Sequence, residues 1–233
     1  KSYLEAKILE IISESIYYQK PLCEHFKYCG GCSFQNLDYQ IQTQQKLNQI
    51  KEIFNRIGEQ KDFIIEPIKV CDNTYHYRNK MEFTFSNNPW FEKYNPKEKK
   101  EFCIGLHPKG RFDKIIDVQS CEIQSDIANR ILNLAREISI KNNIIPYDIK
   151  KHTGFLRQLV IRSADYNNET MVIIVTSKNN QEKLKPIIDK LSNIKEIKSI
   201  INNVNQKKAD VSYSEEQYLL YGNDFITEKI GPY

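Results

Sequence analysis

Three cysteines close together near the start of the chain constrain its fold more than any other feature of the sequence. They are Cys23, Cys29 and Cys32, in a C-x5-C-x2-C spacing, and Gly30 and Gly31 separate the last two. Glycine allows positive φ and lets backbone amides approach sulfur, so both flanking thiolates can converge on one centre. The spacing therefore predicts a metal-binding loop.

A tetrahedral or cubane metal site needs one more ligand than this loop provides. Cys121 is the candidate, because it follows a strand pattern ending at Val118 and precedes a helical pattern. Cys71 and Cys103 lie in or beside strand patterns, where a small apolar side chain would simply be packed. The predicted metal ligands are thus Cys23, Cys29, Cys32 and Cys121.

Two kinds of site would suit these ligands. Four-cysteine zinc sites also use C-x2-C pairs, although they usually contain a second compact pair rather than a lone distant cysteine. The x5-x2 spacing differs from the C-x3-C-x2-C of radical S-adenosylmethionine enzymes. A zinc-stabilised nucleic-acid-binding module therefore stays open as the alternative to an iron–sulfur domain.

The composition excludes disorder and a membrane span. Hydrophobic residues make up 40% of the 233 and aromatic residues 11%, which is enough for a core. Apolar runs are only a few residues long, and no apolar segment typical of a signal peptide opens the chain. We expect a cytoplasmic protein, and in reducing surroundings clustered cysteines are more often metal-binding or catalytic than paired.

Hydrophobic periodicity predicts an α+β fold with a mixed, largely antiparallel sheet and packed helices. Helical spacing marks Asn36 to Gly58, Ile123–Ile140 and Gln181–Leu191, and Pro186 is expected to kink the last helix or mark its start. Strand patterns cover Phe63–Val70, Tyr75–Phe85, Glu101–Leu106, Lys114–Val118, 155–162, 170–176, Ile197–Val204 and Gln217–Thr227. The polar stretch at 87–100 predicts an exposed loop.

The excess of positive charge, +4 overall, lies in one segment. Residues 76–114 hold nine Lys and Arg against five Asp and Glu, which leaves 25 against 25 of the 34 and 30 in the whole chain. Four of these cations are the predicted RNA contacts: Arg78, Lys80, Lys109 and Arg111. The first two share a strand face and the others lie on the next loop, so they would meet a phosphate backbone. The alternative is a solvated face with ion pairs to Glu82 or Asp113.

The cysteine motif is part of a longer pattern. It continues as Cys23-x5-Cys29-Gly30-Gly31-Cys32-x-Phe34-Gln35-x3-Tyr39, then Gln44/Gln45-Lys46. Further segments follow in order: Tyr77–Lys80, Ile104–Leu106, Asp117-Val118-x2-Cys121, Gly154-x-Leu156-Arg157-x-Leu159–Arg162 and Met171-Val172. From Pro21 to Tyr233 the chain resembles the RNA (uracil-5-)-methyltransferases, most of all the members that carry a 4Fe-4S cluster and methylate uridine in 23S ribosomal RNA. In such enzymes the fourth cluster ligand follows a strand ending in Asp-Val, which corresponds to Cys121.

The resemblance implies a domain organisation. Residues 1–20 would be the tail of a preceding TRAM/OB-like barrel, 21–60 the iron–sulfur loop and following helix, and 61–233 a central α/β domain. Members of the family also have a C-terminal domain that binds S-adenosylmethionine and supplies a cysteine nucleophile and a glutamate base. The sequence has no Gly-rich cofactor loop and no cysteine after Cys121. We expect the nucleophile, the base and the S-adenosylmethionine site to lie beyond residue 233 and this fragment alone to be inactive.

The resemblance also implies partners. The function would be that of an S-adenosylmethionine-dependent 23S rRNA (uracil-5-)-methyltransferase whose iron–sulfur domain helps to bind and orient RNA, with transfer RNA as the alternative substrate. No membrane partner is expected. In relatives the helix after the cluster packs on the methyltransferase domain, so the stripe of Leu47, Ile50, Phe54 and Ile57 would lack its partner here. This predicts self-association of the fragment through the helix at 36–58.

Overall fold

The computed structural model of the chain describes residues 4, 6, 8–93, 101–214 and 216–232. It divides the chain into two compact units, Lys1–Leu22 with Ser33–Asp72, and Cys23–Cys32 with Asn73–Tyr233. The cysteine loop belongs to the second unit, and the helix that follows it in sequence belongs to the first. Part of the predicted exposed loop, residues 94–100, lies outside the described residues.

The first unit has one helix in its described residues, α1 (Tyr39–Arg56). The Asp38 carboxylate begins it by accepting the backbone N–H groups of Gln40 and Ile41, which would otherwise lack partners in a first helical turn. The strand predicted over Phe63–Val70 is wrong, since these residues form neither helix nor strand. A strand needs a paired neighbour, which an apolar pattern does not supply, and Pro67 removes one of the N–H donors for such pairing.

The second unit is built on one sheet of seven strands in its described residues. They are β1 (Lys80–Ser86), β2 (Cys103–Leu106), β3 (Ile116–Asp117), β4 (Leu156–Ala164), β5 (Glu169–Thr176), β6 (Ile197–Val204) and β7 (Gln217–Gly222). Their order is β3-β2-β1-β4-β5-β6-β7, and only the β5–β6 pair is parallel. The predicted α+β class with a largely antiparallel sheet is confirmed.

The remaining helices are α2 (Asp126–Lys141) and α3 (Gln181–Leu191). Ser125 and Asn180 begin them with side chains that accept a backbone N–H from the first turn. Pro186 lies inside α3, five residues after its start, so it does not mark the start of the helix. No helix in the described part of the chain is long and apolar enough to cross a membrane.

One hydrophobic core joins the sheet to α2 and α3. Cross-strand register places Phe83, Leu159 and Ile174 in one row across β1, β4 and β5, and all three are fully buried. Helix residues such as Ile131 and Leu184 belong to the same core. Cys29 and Cys121 are also members, which places the predicted metal ligands at the border of this core.

Candidate metal centre

Backbone hydrogen bonds attach the cysteine loop, residues 23–32, to the segment that follows β2. The N–H of Gly30 donates to the carbonyl oxygen of His107 over 3.1 Å, and the N–H of Lys109 donates to that of Tyr28 over 2.9 Å. These bonds run in both directions between the two segments. The position of the loop is therefore set by the end of a sheet strand.

The glycine pair in this loop fulfils one of its two predicted roles. The N–H of Gly31 lies 3.3 Å from the Sγ of Cys29, which confirms the close approach of an amide to sulfur. Neither Gly30 nor Gly31 has a positive φ, so the prediction of a left-handed backbone at this pair was wrong. A lack of space explains why glycine occupies position 30, because a Cβ there would come within 3.2 Å of the carbonyl oxygen of His107.

Cys121 lies in a tight turn between β3 and α2. The backbone N–H of Gln124 donates to its carbonyl oxygen over 3.3 Å. Its own N–H donates to the Oδ1 of Asn129, in the first turns of α2, over 2.9 Å. The backbone of Cys121 is thus held at both its N–H and its carbonyl oxygen.

All four predicted ligands belong to the second unit. Cys29 and Cys121 are buried, and Cys23 and Cys32 are half-buried. Burial raises the pKa of Cys23 to about 11, and repulsion from the charges of the other three cysteines adds to the rise. Burial also raises the pKa of Cys29 and of Cys121, and repulsion from the charge of Cys32 adds to both. The four thiols are therefore within electrostatic range of one another.

The chemistry of this donor set suits a thiolate-bound metal or cluster. The raised pKa values keep the thiols of Cys23, Cys29 and Cys121 protonated at neutral pH, and a bound metal would displace those protons. The backbone N–H of Gly31 already bonds to the sulfur of Cys29, and it would stabilise a thiolate there. Among the described residues, no group of three or more His, Cys, Asp or Glu side chains is arranged to hold a metal ion.

His25 lies inside the cysteine loop, and 18% of its side chain is exposed. Its carbonyl oxygen accepts the N–H groups of Tyr28 and Cys29, so the backbone of His25 helps to close the loop.

An aromatic contact joins residues 87–92 to the cysteine loop. The rings of Tyr28 and Trp90 lie 4.5 Å apart, and the Glu92 carboxylate accepts from the Tyr28 hydroxyl and from Lys27. Trp90 packs against the hydrophobic core. The prediction of an exposed loop is therefore wrong for this part of the segment. Its signal was a tryptophan in a polar stretch, since so large an apolar side chain is seldom left in water.

Two of the four predicted RNA contacts have a carboxylate partner. The Nζ of Lys80 lies 2.5 Å from Glu82, and the guanidinium of Arg111 bonds both oxygens of Asp113 over 3.0 and 3.2 Å. These are the ion pairs that the sequence left open as the alternative. Both cations are exposed, so solvent screens their ion pairs and a phosphate group can compete with the carboxylates.

The other two cations are exposed as well. The Nζ of Lys109 lies 5.2 Å from the centre of the Phe26 ring, over the cysteine loop. Burial dominates the raised pKa of Cys29, but the charge of Lys109 acts against it. Arg78 comes just before β1, and its Nη1 lies 3.8 Å from the sulfur of Met81.

A buried arginine missed from the sequence connects α2 with β2 and β3. Arg136 is 9% exposed, and its guanidinium bonds Asp117 over 3.2 Å as well as two backbone carbonyl oxygens, those of Ile104 and Val118. These contacts fix the strand pair that leads into Cys121. The only signal in the sequence was an acidic residue, Asp117, at the end of an apolar strand.

Curated relatives align with almost the whole chain. Proteins named uncharacterized RNA methyltransferases match it at 30% identity over 98% of its length in Chlorobaculum tepidum and at 31% over 99% in Caldanaerobacter subterraneus. One from Clostridium tetani matches at 32% over 99%. The chain spans about half the length of these relatives, 49%, 50% and 48% respectively.

A solved structure has the same fold. The tRNA (uracil-54, C5)-methyltransferase of Pyrococcus abyssi, in complex with S-adenosyl-L-homocysteine, superposes with a TM-score of 0.66 at 24% sequence identity. The match covers 94% of this chain and 45% of that one. No protein-family model matches the chain. The relatives confirm the resemblance to RNA methyltransferases, and the solved structure shows that the fold is that of a tRNA uracil-C5 methyltransferase.

Proposed function

Because the chain is related to RNA methyltransferases over almost its whole length, we propose that it is the RNA-orienting 4Fe-4S domain of an S-adenosylmethionine-dependent 23S rRNA (uracil-5-)-methyltransferase. The observation that carries the proposal is that four free thiols, Cys23, Cys29, Cys32 and Cys121, belong to one compact unit and are buried or half-buried there. Thiolate is a ligand that suits iron–sulfur clusters. Methyl transfer from S-adenosylmethionine requires no electron, so the cluster's contribution is structural.

The structural role follows from what these cysteines connect. Three are in the loop at 23–32, and the fourth is in the turn between β3 and α2. Ligation would cross-link two segments that are far apart in sequence, and metal binding that fixes such segments contributes directly to folding. The cross-link would also fix Lys109, which bonds to the loop backbone at Tyr28.

The RNA surface is the set of four exposed cations Arg78, Lys80, Lys109 and Arg111. A further exposed cation, Arg162, lies directly opposite Lys80 in the neighbouring strand. Two cations side by side on a sheet repel each other, so a bound phosphate would relieve that repulsion. This favours an anionic partner at the start of β1, where Lys80 lies.

Replacing the four predicted cations together tests the RNA surface. The variant Arg78→Ala/Lys80→Ala/Lys109→Ala/Arg111→Ala should bind a transcribed fragment of 23S rRNA more weakly. The slope of log affinity against log salt should fall by about 3, because each lost phosphate contact removes about 0.7–0.9. Filter binding at several salt concentrations measures both. The matched control replaces four exposed lysines elsewhere, Lys183, Lys185, Lys190 and Lys195; equal slopes for the two variants would contradict the proposal.

Transfer RNA is the second candidate substrate, favoured by the fold shared with a tRNA uracil-C5 methyltransferase. Competition between a 23S rRNA fragment and a tRNA transcript for the wild-type chain distinguishes the two. We expect the ribosomal fragment to bind more tightly. We also expect no methyl transfer from S-adenosylmethionine by the 233-residue chain alone.

The helix α1 is our proposed site of self-association. None of its residues is buried, and Ile50, Phe54 and Ile57 are 40%, 46% and 80% exposed. Contiguous apolar surface of this kind is unfavourable in water. Light scattering at high protein concentration should give a mass above the 27.5 kDa of one chain. A monomer at every concentration would contradict this.

A further inference from the structure

We propose that Asn129 is a positioning residue for the metal centre, which holds Cys121 in the orientation that a ligand needs. The inference rests on the proposed function, since it concerns the same four cysteines. Asn129 lies in α2, outside every motif that the sequence singled out. It would touch the metal only through Cys121.

Two hydrogen bonds join the side chain of Asn129 to the backbone of Cys121. The Oδ1 of Asn129 accepts the N–H of Cys121 over 2.9 Å, and its Nδ2 donates to the carbonyl oxygen of the same residue over 3.3 Å. A side-chain amide carries one acceptor and two donors on a rigid plane, so it can pair with both polar groups of a residue at once. Rotation of the Cys121 backbone would break both bonds.

A third bond makes Asn129 the centre of a small network. The Nε2 of Gln124 also donates to its Oδ1, over 2.6 Å, and the side chain of Gln124 is fully buried. The backbone N–H of Gln124 donates to the carbonyl oxygen of Cys121 over 3.3 Å. Asn129 therefore bonds both Cys121 and the residue whose backbone closes the turn onto Cys121.

The other side of the turn is held by backbone alone. The N–H groups of His76 and Arg78 donate to the carbonyl oxygens of Glu122 and Ile123 over 2.9 and 2.8 Å. Those bonds fix the middle of the turn but do not involve Cys121. Among the contacts of the described residues, Asn129 is the side chain that holds the backbone of Cys121 itself.

The platform beneath Asn129 is rigid. Two residues of α2 close to it, Ile131 and Leu132, are completely buried in the core. Because Asn129 is only two and three residues away from these buried side chains, its position relative to the turn is fixed by the packing of the helix. Partners that orient metal ligands typically change metal affinity about 10–100-fold when they are replaced.

Chemistry distinguishes asparagine from its nearest replacements. Aspartate has the same shape and keeps the acceptor, but it loses the donor to the carbonyl oxygen of Cys121. It also places a negative charge beside a thiolate, which disfavours the ligand form. Alanine loses both bonds and adds no charge. Both variants should therefore weaken the hold on Cys121.

The experiment compares three variants of the 233-residue chain after reconstitution with iron and sulfide without oxygen. Asn129→Ala and Asn129→Asp remove the proposed contacts. Asn133→Ala, one helical turn further along α2, is the matched control: its Nδ2 donates to the carbonyl oxygen of Gln119 over 2.9 Å, in the same connection but not at Cys121. The measurements are the iron content, the rate at which an iron chelator bleaches the visible absorption, and the melting temperature of the metal-free protein.

We expect the chelator to bleach Asn129→Ala and Asn129→Asp about 10–100-fold faster than wild type. Asn133→Ala should bleach at close to the wild-type rate, while the melting temperatures of metal-free Asn129→Ala and Asn133→Ala should be similar. Bleaching of Asn129→Ala at the wild-type rate, or equally fast bleaching of Asn133→Ala, would overturn the inference. A wild-type chain that takes up no iron would instead overturn the proposed function, so the two failures are distinguishable.

Discussion

Replacing Cys121 by alanine is expected to remove most of the iron from protein purified without oxygen. The change leaves Cys23, Cys29 and Cys32 in place, but a cubane site with three ligands has one corner without a protein thiolate. The loss should exceed that of any surface substitution, because it also removes the link between the cysteine loop and the turn before α2. Iron and sulfide analysis, together with the visible spectrum, measures the result.

Cys103→Ala is the matched control for this prediction. Cys103 is also buried, burial raises its pKa to about 12, and its thiol donates to the carbonyl oxygen of Ser86 over 3.3 Å. It is not one of the proposed ligands, so its replacement should leave the iron content unchanged. Full iron content in Cys121→Ala, or equal losses in the two variants, would rule out the proposed ligand set.

Replacing Arg157 by leucine should lower the free energy of unfolding by about 3 kcal/mol, the second large effect that we expect. Arg157 is 2% exposed and donates to the carbonyl oxygens of Asn205, Lys207 and Ala209 over 2.6–2.8 Å. Leucine would leave these acceptors without a partner, and a buried acceptor that loses its hydrogen bond is destabilising. The segment after β6 would lose its attachment to β4.

Two further contacts reinforce this effect. The guanidinium of Arg157 lies 4.4 Å from the centre of the Tyr147 ring and 3.6 Å from the carboxylate of Asp210. Arg162→Leu is the control, because Arg162 is in the same strand but exposed, where substitutions usually change stability by less than about 0.5 kcal/mol. Urea unfolding compares the two. Equal stability of the variants would contradict the structural role, and the iron content of both should be that of wild type.

The sequence predicts an element most accurately when the pattern that marks it lies entirely within that element. The bounds of α3 and β6 agree with the prediction, because helical spacing marks α3 and repeated isoleucine and valine mark β6 without reference to the rest of the chain. The prediction of the cysteine ligands also rests in part on a local pattern. Three of them lie within ten residues, and Cys121 followed from its place between a strand and a helix.

Predictions failed where a segment's partner decides its structure. Residues 75–79 have a strand pattern, yet β1 begins only at Lys80, because the N–H groups of His76 and Arg78 bond to the turn after Cys121. Residues 63–70 have the same kind of pattern and no strand. Alternating apolar residues describe which faces a segment would have, but not whether a neighbour is there to pair with it.

Buried polar residues were the other feature that the sequence did not predict. Arg136 and Arg157 are charged, so a sequence pattern assigns them to the surface, where most arginines lie. Their acceptors are mainly backbone carbonyl oxygens, which every residue has and which no motif reveals. No sequence pattern indicates Asn129 for the same reason, since both of its hydrogen bonds to Cys121 are to backbone atoms.

Metal and sulfide content of the wild-type chain, purified without oxygen, tests the central claim most directly. If the four cysteines bind a 4Fe-4S cluster, we expect about four irons and matching sulfide per chain, with a brown visible absorption. One zinc per chain in a colourless sample would contradict it, and would favour a zinc-stabilised nucleic-acid-binding module instead.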